Sequence, residues 1–335
     1  MRITALAGGI GGARFLRGLL HHLDHLPRSG TAESEPAEVT VIGNTADDVT
    51  LHGLRICPDL DTVMYTLGRG IHEEQGWGRA DETFTVAEEL AAYGAEPQWF
   101  TLGDRDVATH LVRTRMLGLG YTLSQVTEAL CARWQPGLRL LPMSDDPIET
   151  HVVIDDPDAG PDDADRKAIH FQEWWIRLHA AVPARQILAV GIEQAKPAPG
   201  VLEAIADADV VLLPPSNPVV SIGTILAVPG IRDAIRATRA PVVGVSPIIG
   251  GAPVRGMADA CLTAIGLETS ASAVADLYRD FLSGWLVAPG DADCVVPEQV
   301  TLRTAPLLMT DVEAASKIAA ATLGLALELA GDPRP

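Results

Sequence analysis

The sequence predicts an α/β fold in which a mainly parallel sheet is flanked by helices and carries a helical insertion. Three observations lead there. Short apolar, β-branched runs alternate with amphipathic stretches of helical period, the pattern of strands joined by crossover helices. Most of these runs end in Gly, Pro, Ser, Asn or Asp before the helical stretch begins. The first run leads at once into Gly8-Gly9-Ile10-Gly11-Gly12, a turn whose missing side chains let backbone come close to a ligand or to another element. At 335 residues, 47% of them hydrophobic, the chain can bury a full core. No internal repeat or strong linker divides it, so residues 1–335 read as one α/β domain, with residues 104–180 as a helical insertion or cap within it.

The elements follow in order. Residues 3–7 form the first strand, and beyond the glycine turn a helix spans 13–23. Residues 27–38 (PRSGTAESEPAE) are small and polar and read as a surface insertion. A β-branched run at 39–42 is the second strand and ends in Asn44-Thr45-Ala46-Asp47-Asp48. Pro58 suits the first turn of a helix over 60–67, with Asp59 and Asp61 near its positive end. Residues 98–102 read as a strand ending at Gly103-Asp104-Arg105-Asp106. Helices are expected at 107–117, 123–134 and 171–177, with a strand at 139–141 that ends in Pro142-Met143-Ser144-Asp145-Asp146. Residues 155–165 (DDPDAGPDDAD) read as a solvated loop, since their acids lack the regular ligand spacing of a calcium loop. Later strands are expected at 187–190, 210–213, 242–245 and 285–287.

Composition excludes several functions. A net charge of −19 argues against a nucleic-acid partner, because binding a polyanion depends on clustered Lys and Arg. The four cysteines, Cys57, Cys131, Cys261 and Cys294, are far apart, so neither a zinc site nor a disulfide framework is indicated. The N-terminus shows no signal-peptide pattern, and no apolar run is expected to reach the roughly 20 residues of a membrane span. A reduced cytoplasmic protein is the expectation.

Chemistry should collect at the carboxyl ends of the strands. The glycine turn sits between a strand and a helix, a context for a nucleotide or diphosphate and equally for close helix packing. Arg14, one turn into that helix, is within reach of a phosphate or is an exposed helix residue. Asp47, Asp48, Asp59 and Asp61 gather carboxylates at neighbouring loop ends. Packed together they would repel unless a cation or a substrate donor held them, which suggests metal or hydroxyl binding. The acids at 104–106 and 145–146 are helix caps or further parts of a site, with a third acidic tip unusual for scaffolding alone. Trp174 and Trp175 suggest one ring in the core and one for stacking. Pro214-Pro215-Ser216-Asn217-Pro218 and Ser246-Pro247-Ile248-Ile249-Gly250 offer hydroxyls and backbone donors after strands, suited to phosphate or ribose. No P-loop and no nucleophile elbow is present.

Taken in order, the glycine opening with Arg14-Phe15-Leu16, Asn44–Asp48, Cys57-Pro58-Asp59-Leu60-Asp61-Thr62, Gly103–Asp106, Pro142–Asp146, Phe171-Gln172-Glu173-Trp174-Trp175, Ser216-Asn217-Pro218 and Ser246–Gly250 resemble the 2-phospho-L-lactate transferase family. Within it they resemble the actinobacterial phosphoenolpyruvate transferases of coenzyme F-420 biosynthesis. The resemblance runs nearly end to end. It implies a Rossmann-like fold, a homodimer and a Mg²⁺-dependent reaction. The acceptor would be the deazaflavin Fo and the donor a guanosine diphosphate ester of enolpyruvate or lactate. The terminal ribityl hydroxyl of Fo would attack phosphorus, GMP would leave, and dehydro coenzyme F-420-0 or its lactyl counterpart would form. On this basis Asp47, Asp48 and Asp61 are the candidates for Mg²⁺ and the ribityl hydroxyls, with Asp61 also the base or hydroxyl acceptor. Thr101, Asp104 and Trp174 are the candidates for contact with Fo. Gly9, Gly11, Gly12, Arg14, Ser216, Asn217 and Ser246 fall to the guanosine diphosphate. Thr224 replaces a proline common in the family and is expected to alter the loop without touching the chemistry.

Two other readings compete. A nucleotide-sensing regulator of the kind that binds UDP-sugars needs the glycine turn but not all the later motifs. A nicotinamide-dependent oxidoreductase would use Asp47 for a ribose but leaves paired acids at three tips unexplained.

Overall fold

The computed structural model describes residues 1–26, 36–156 and 166–331, so most of the two loops read at 27–38 and 155–165 lies outside the described residues. The chain opens with β1 (Arg2–Ala7), α1 (Gly9–Asp24), β2 (Glu38–Gly43), a hairpin of β3 (Val49–Leu51) and β4 (Leu54–Ile56), and α2 (Pro58–Leu67). Helices α3 (Thr85–Ala92), α4 (Asp104–Gly118) and α5 (Leu123–Trp134) precede β5 (Arg139–Pro142), β6 (Glu149–Asp155), β7 (Arg166–His170) and β8 (Gln186–Val190). The second half holds α6 (Val201–Ala206), β9 (Val210–Leu213), α7 (Ile222–Ala227), α8 (Ile231–Ala237), β10 (Val242–Val245) and the short pair β11 (Ile248–Ile249) and β12 (Ala252–Pro253). It ends with α9 (Ala258–Ala264), α10 (Ala271–Leu277), β13 (Gly284–Val287), β14 (Thr301–Thr304) and α11 (Val312–Gly331).

Seven strands form the main sheet in the order β14-β13-β10-β9-β1-β2-β5, and every pair in it is parallel. Both faces are covered, which is why its strands read as continuous apolar runs rather than alternating ones. The alternation survives in which core each residue enters. Ala5, Val210, Leu212 and Val243 pack with α1, α2, α5 and α11, whereas Leu6, Val211, Leu213 and Val242 pack with α6 to α10. Strand order reverses between β1 and β9, so the crevice at their carboxyl ends is the place where an α/β sheet binds ligands.

Several expectations are corrected. Residues 98–102 are not a strand; Phe100 and Leu102 are apolar because they pack on the β3–β4 hairpin with Val107. The strand read at 187–190 exists but pairs antiparallel with β6 in a separate three-stranded sheet, β7-β6-β8. Residues 104–180 are less helical than expected, since β6 and β7 lie inside them beside the expected strand β5. The run 312–331, in which no spanning length was expected, is by length and composition alone apolar enough to cross a membrane. Its apolar character has a local cause: Ile318, Ala319, Leu323, Leu325 and Ala326 of α11 are buried within the core shared with α1 and the sheet.

The α1–α11 contact depends on Gly18, because a Cβ there would stand 2.6 Å from the Ala315 carbonyl oxygen. Gly18→Ala is therefore expected to destabilise the fold. Overpacking costs about 1–3 kcal/mol, more than the helix-propensity gain of at most about 1 kcal/mol. Chemical denaturation checks this, and an unchanged or raised midpoint would show that α11 shifts freely.

Candidate functional site

The tips of β1, β2 and β9 meet beside the first turn of α2. The glycine turn closes against the β9 tip: Gly8 N–H donates to Ser216 Oγ (3.1 Å), and that hydroxyl donates back to the Gly8 carbonyl (2.8 Å). A Cβ on Gly12 would stand 2.6 Å from Ser216 Oγ, and one on Gly11 would collide with the Pro215 carbonyl. Gly9 opens α1 at φ +63°, a conformation that favours glycine. The glycines thus answer to close packing first.

Beyond β2, Asn44 organises the acids. Its amide donates to Asp59 Oδ2 (2.9 Å), while its Oδ1 accepts from Ala46 N–H (3.1 Å) and lies 2.8 Å from the Thr224 hydroxyl. The threonine that replaces the family's proline thus sets its hydroxyl against Asn44. His170 and Gln172, at and just past the end of β7, hold the same tip from the other side. The Nδ1 of His170 accepts from Gln172 N–H, so its Nε2 carries the proton and donates to the Asp48 carbonyl (3.3 Å); Gln172 Nε2 donates to the Asp47 carbonyl (3.4 Å).

Asp47, Asp48 and Asp59 are all buried. Asp47 Oδ1 and both carboxylate oxygens of Asp48 lack a hydrogen-bond partner, and Arg55 stands 3.5 Å from Asp48 without forming one. Burial, then the neighbouring Asp59, pushes the Asp47 carboxyl well above the ordinary range. Burial pushes Asp48 up to about 7 against the opposing pull of Arg55, and Asp59 up to about 6 against hydrogen bonds from Asn44, Gly9 and Ser221. Such desolvated acids call for a cation.

Among the described residues no group of three His, Cys, Asp or Glu side chains converges as a complete metal cage. A Mg²⁺ site does not need one, because Mg²⁺ keeps waters and commonly takes one or two carboxylates plus substrate phosphates. Asp47 Oδ1 and the two Asp48 oxygens, free of hydrogen bonds though Arg55 stands 3.5 Å from Asp48, fit that demand. Asp61 fits it less well, since Arg113 grips its carboxylate in a bidentate pair, Nη1 to Oδ2 at 3.0 Å and Nη2 to Oδ1.

The remaining predicted residues fall in different places. Thr101 is exposed and lines a cleft of about 290 Å³ with His52, Leu54, Phe84, Val86 and Val107. Asp104 opens α4, but its carboxylate accepts from Thr83 Oγ1 (2.7 Å), Thr85 N–H (3.1 Å) and Val86 N–H (2.9 Å), which fixes α3 and with it the cleft wall. Trp174 is fully buried in the core of the antiparallel sheet and donates its indole N–H to the Val182 carbonyl (2.8 Å), so its ring has no open face for stacking. Trp175 beside it is the half-buried ring. Arg14 donates to the Glu73 carbonyl (3.4 Å).

Ser216, Asn217 and Ser246 have their side chains engaged locally. Asn217 Oδ1 accepts from Val219 and Val220 N–H (2.9 and 3.2 Å). Ser246 Oγ donates to the Ile248 carbonyl (2.8 Å) and accepts from its N–H (3.1 Å). At the third acidic tip both carboxylates are engaged: Asp145 accepts from Ser124, and Asp146 from Lys196 N–H.

Nothing in the sequence marks Arg55 as part of the site, and Arg113, on the same expected helix as His110, reads equally as a solvent-facing residue or a substrate contact. A buried Arg or His inside an otherwise polar amphipathic helix leaves no local signal, because its partner lies on another element.

With this geometry in view, comparison with known proteins is informative. Residues 3–322 match the family described as 2-phospho-L-lactate transferase CofD. A phosphoenolpyruvate transferase of Thermobifida fusca is 65% identical, over 98% of this chain and 99% of the relative. Proteins of the same name from Streptomyces coelicolor and Mycolicibacterium smegmatis are 61% and 56% identical, covering 98% and 97% of this chain and 99% of each relative. Among solved structures, protein BH3568 of Bacillus halodurans superposes with a TM-score of 0.59 at 19% identity, covering 96% of this chain and 99% of that one, a likeness of fold.

Proposed function

The chain belongs to the 2-phospho-L-lactate transferase CofD family and is a transferase of that class, and from this premise we propose that it moves a phosphoenolpyruvyl group from a guanosine diphosphate ester to Fo. The name shared by the similar relatives supports the enolpyruvyl over the lactyl donor. The observation that carries the reading is the pair of buried acids at the β2 tip, where Asp47 Oδ1 and both Asp48 oxygens, free of hydrogen bonds, suit a Mg²⁺–diphosphate.

In the reaction a ribityl hydroxyl of Fo attacks the phosphorus bearing the three-carbon acid. One P–O bond forms, the P–O bond to GMP breaks, and the hydroxyl proton passes to a carboxylate or to water. Mg²⁺, held by Asp47 and Asp48, would neutralise charge on the diphosphate. Such displacements need alignment and charge compensation more than covalent help. Asp61 is the group to accept a hydrogen bond from the attacking hydroxyl. The cleft at Thr101 is mainly apolar and open, suited to a flat deazaflavin, and the β3–β4 hairpin runs from its wall back to Asp48. Backbone N–H groups of the glycine turn and of the β9 and β10 tips would receive the guanosine diphosphate. Cytoplasmic location and a homodimer complete the proposal.

Incubation with Fo, Mg²⁺ and, in separate reactions, the enolpyruvyl and lactyl guanosine diphosphates tests it, with GMP and the deazaflavin product followed by mass spectrometry. Turnover of the enolpyruvyl ester is expected. Turnover of the lactyl ester alone would reverse the donor, and binding without turnover of either would favour a nucleotide-sensing role.

A further inference from the structure

Arg113, His110, Asp106 and Tyr65 close around Asp61, and of these Asp106 belongs to a motif already singled out. Arg113 and His110 on α4 are 2% and 1% exposed at the side chain, a degree of burial rare for such groups. Arg113 Nη1 donates to Asp61 Oδ2 (3.0 Å), to His110 Nδ1 (3.0 Å) and to the Arg55 carbonyl (3.4 Å), and Nη2 donates to Asp61 Oδ1. Because His110 Nδ1 accepts, the ring proton sits on Nε2, which faces Asp106 Oδ2 at 3.3 Å without the alignment of a hydrogen bond. Asp106 in turn accepts from the Tyr65 hydroxyl (2.7 Å), and Tyr65 lies one turn beyond Asp61 on α2. The chain of contacts starts and ends on α2 and passes through α4.

We propose that Arg113, backed by His110, Asp106 and Tyr65, is a positioning residue that fixes the Asp61 carboxylate for the acceptor hydroxyl. This rests on the reading of Asp61 given above. A planar guanidinium held at two further points, His110 Nδ1 and the Arg55 carbonyl, locks both carboxylate oxygens in one plane, which a point-like ammonium cannot do. Each oxygen keeps a second lone pair for the hydroxyl. The bond to the Arg55 carbonyl also ties the arrangement to the strand that carries the Asp48 partner.

The test is a double-mutant cycle with Arg113→Met, Asp61→Asn and their combination, alongside Arg113→Lys, in the transfer assay with thermal melts of every variant. Arg113→Met is expected to lower kcat about 100-fold, the usual consequence of misplacing a catalytic contact, with KM for the guanosine diphosphate ester changed by less than about twofold. Arg113→Lys keeps the charge and should recover only part of that loss. The double variant should be no slower than Asp61→Asn and should melt above Arg113→Met, since both partners of the buried pair are then gone. Additive losses in kcat, or a matching rise in KM for the ester, would show a purely structural role and overturn the proposal. Wild-type turnover by Asp61→Asn would instead overturn the reading of Asp61 itself, so the two failures are distinguishable. Should Arg113→Met not fold, the double variant and Arg113→Lys still decide the question.

Discussion

Asp61→Asn is expected to lower kcat for transfer by about 10²–10⁴, the range for removing a group that handles the reacting proton. The fold should also feel it. Asp61 is buried and its carboxylate is the charged partner of Arg113, so the amide leaves a buried guanidinium without its counter-charge. Breaking such a pair from one side costs about 3–5 kcal/mol. Because Asn keeps one carbonyl acceptor for Arg113, the lower end applies. Two measurements separate the effects: turnover at saturating substrates well below the melting transition, and the melting temperature. Wild-type turnover would remove Asp61 from the reaction, and an unchanged melting temperature would mean that Arg113 finds a new partner.

Removal of Mg²⁺ is expected to stop transfer altogether, and full activity in excess chelator would refute the metal assignment. The buried acids add a pH signature. Asp48 titrates at about 7 in the folded protein against an ordinary aspartate value of about 3.9, and Asp47 and Asp59 are raised as well. The folded state therefore binds more protons than the unfolded one between these values, and stability falls as pH rises through that window. For Asp48 alone the penalty above pH 7 is on the order of 4 kcal/mol. The metal-free protein should melt lower at pH 8 than at pH 5.5. Added Mg²⁺ should raise the melting temperature more at pH 8, where the acids are ionised and no longer hold the protons that a cation must displace. Asp47→Asn with Asp48→Asn should flatten the pH dependence and abolish the Mg²⁺ effect. The net charge of −19 also makes stability fall with pH, and the double variant separates that background from the site. A Mg²⁺ stabilisation that persists in the double variant would place the cation elsewhere.

Some of this was legible in the residues and some was not, for identifiable reasons. The main strands are short and buried on both faces, so their apolar runs are strictly local signals, and β1, β2, β9 and β10 lie where such runs occur. Pro58 opens α2 with Asp59 and Asp61 in its first turn, again a local pattern. Residues 98–102 have the same apolar look, but they pack on a hairpin whose three-residue strands are too short to announce themselves. The β7-β6-β8 sheet was missed because strand pairing is a long-range property, with His151 opposite both His170 and Leu188.

The sequence by itself determined the fold class, the positions of the main strand tips and the acids at the β2 tip, because these follow from hydrophobic period and turn residues within a few positions. Only the tertiary structure decided how those residues are used. It joined Asp61 to Arg113 from 52 positions away, closed Ser216 onto Gly8 from 208 positions away and decided that Trp174, not Trp175, is the ring in the core. The physical reason is that a side chain's charge, orientation and free lone pairs are set by its partners, and in a parallel sheet joined by helices those partners come from distant stretches of chain.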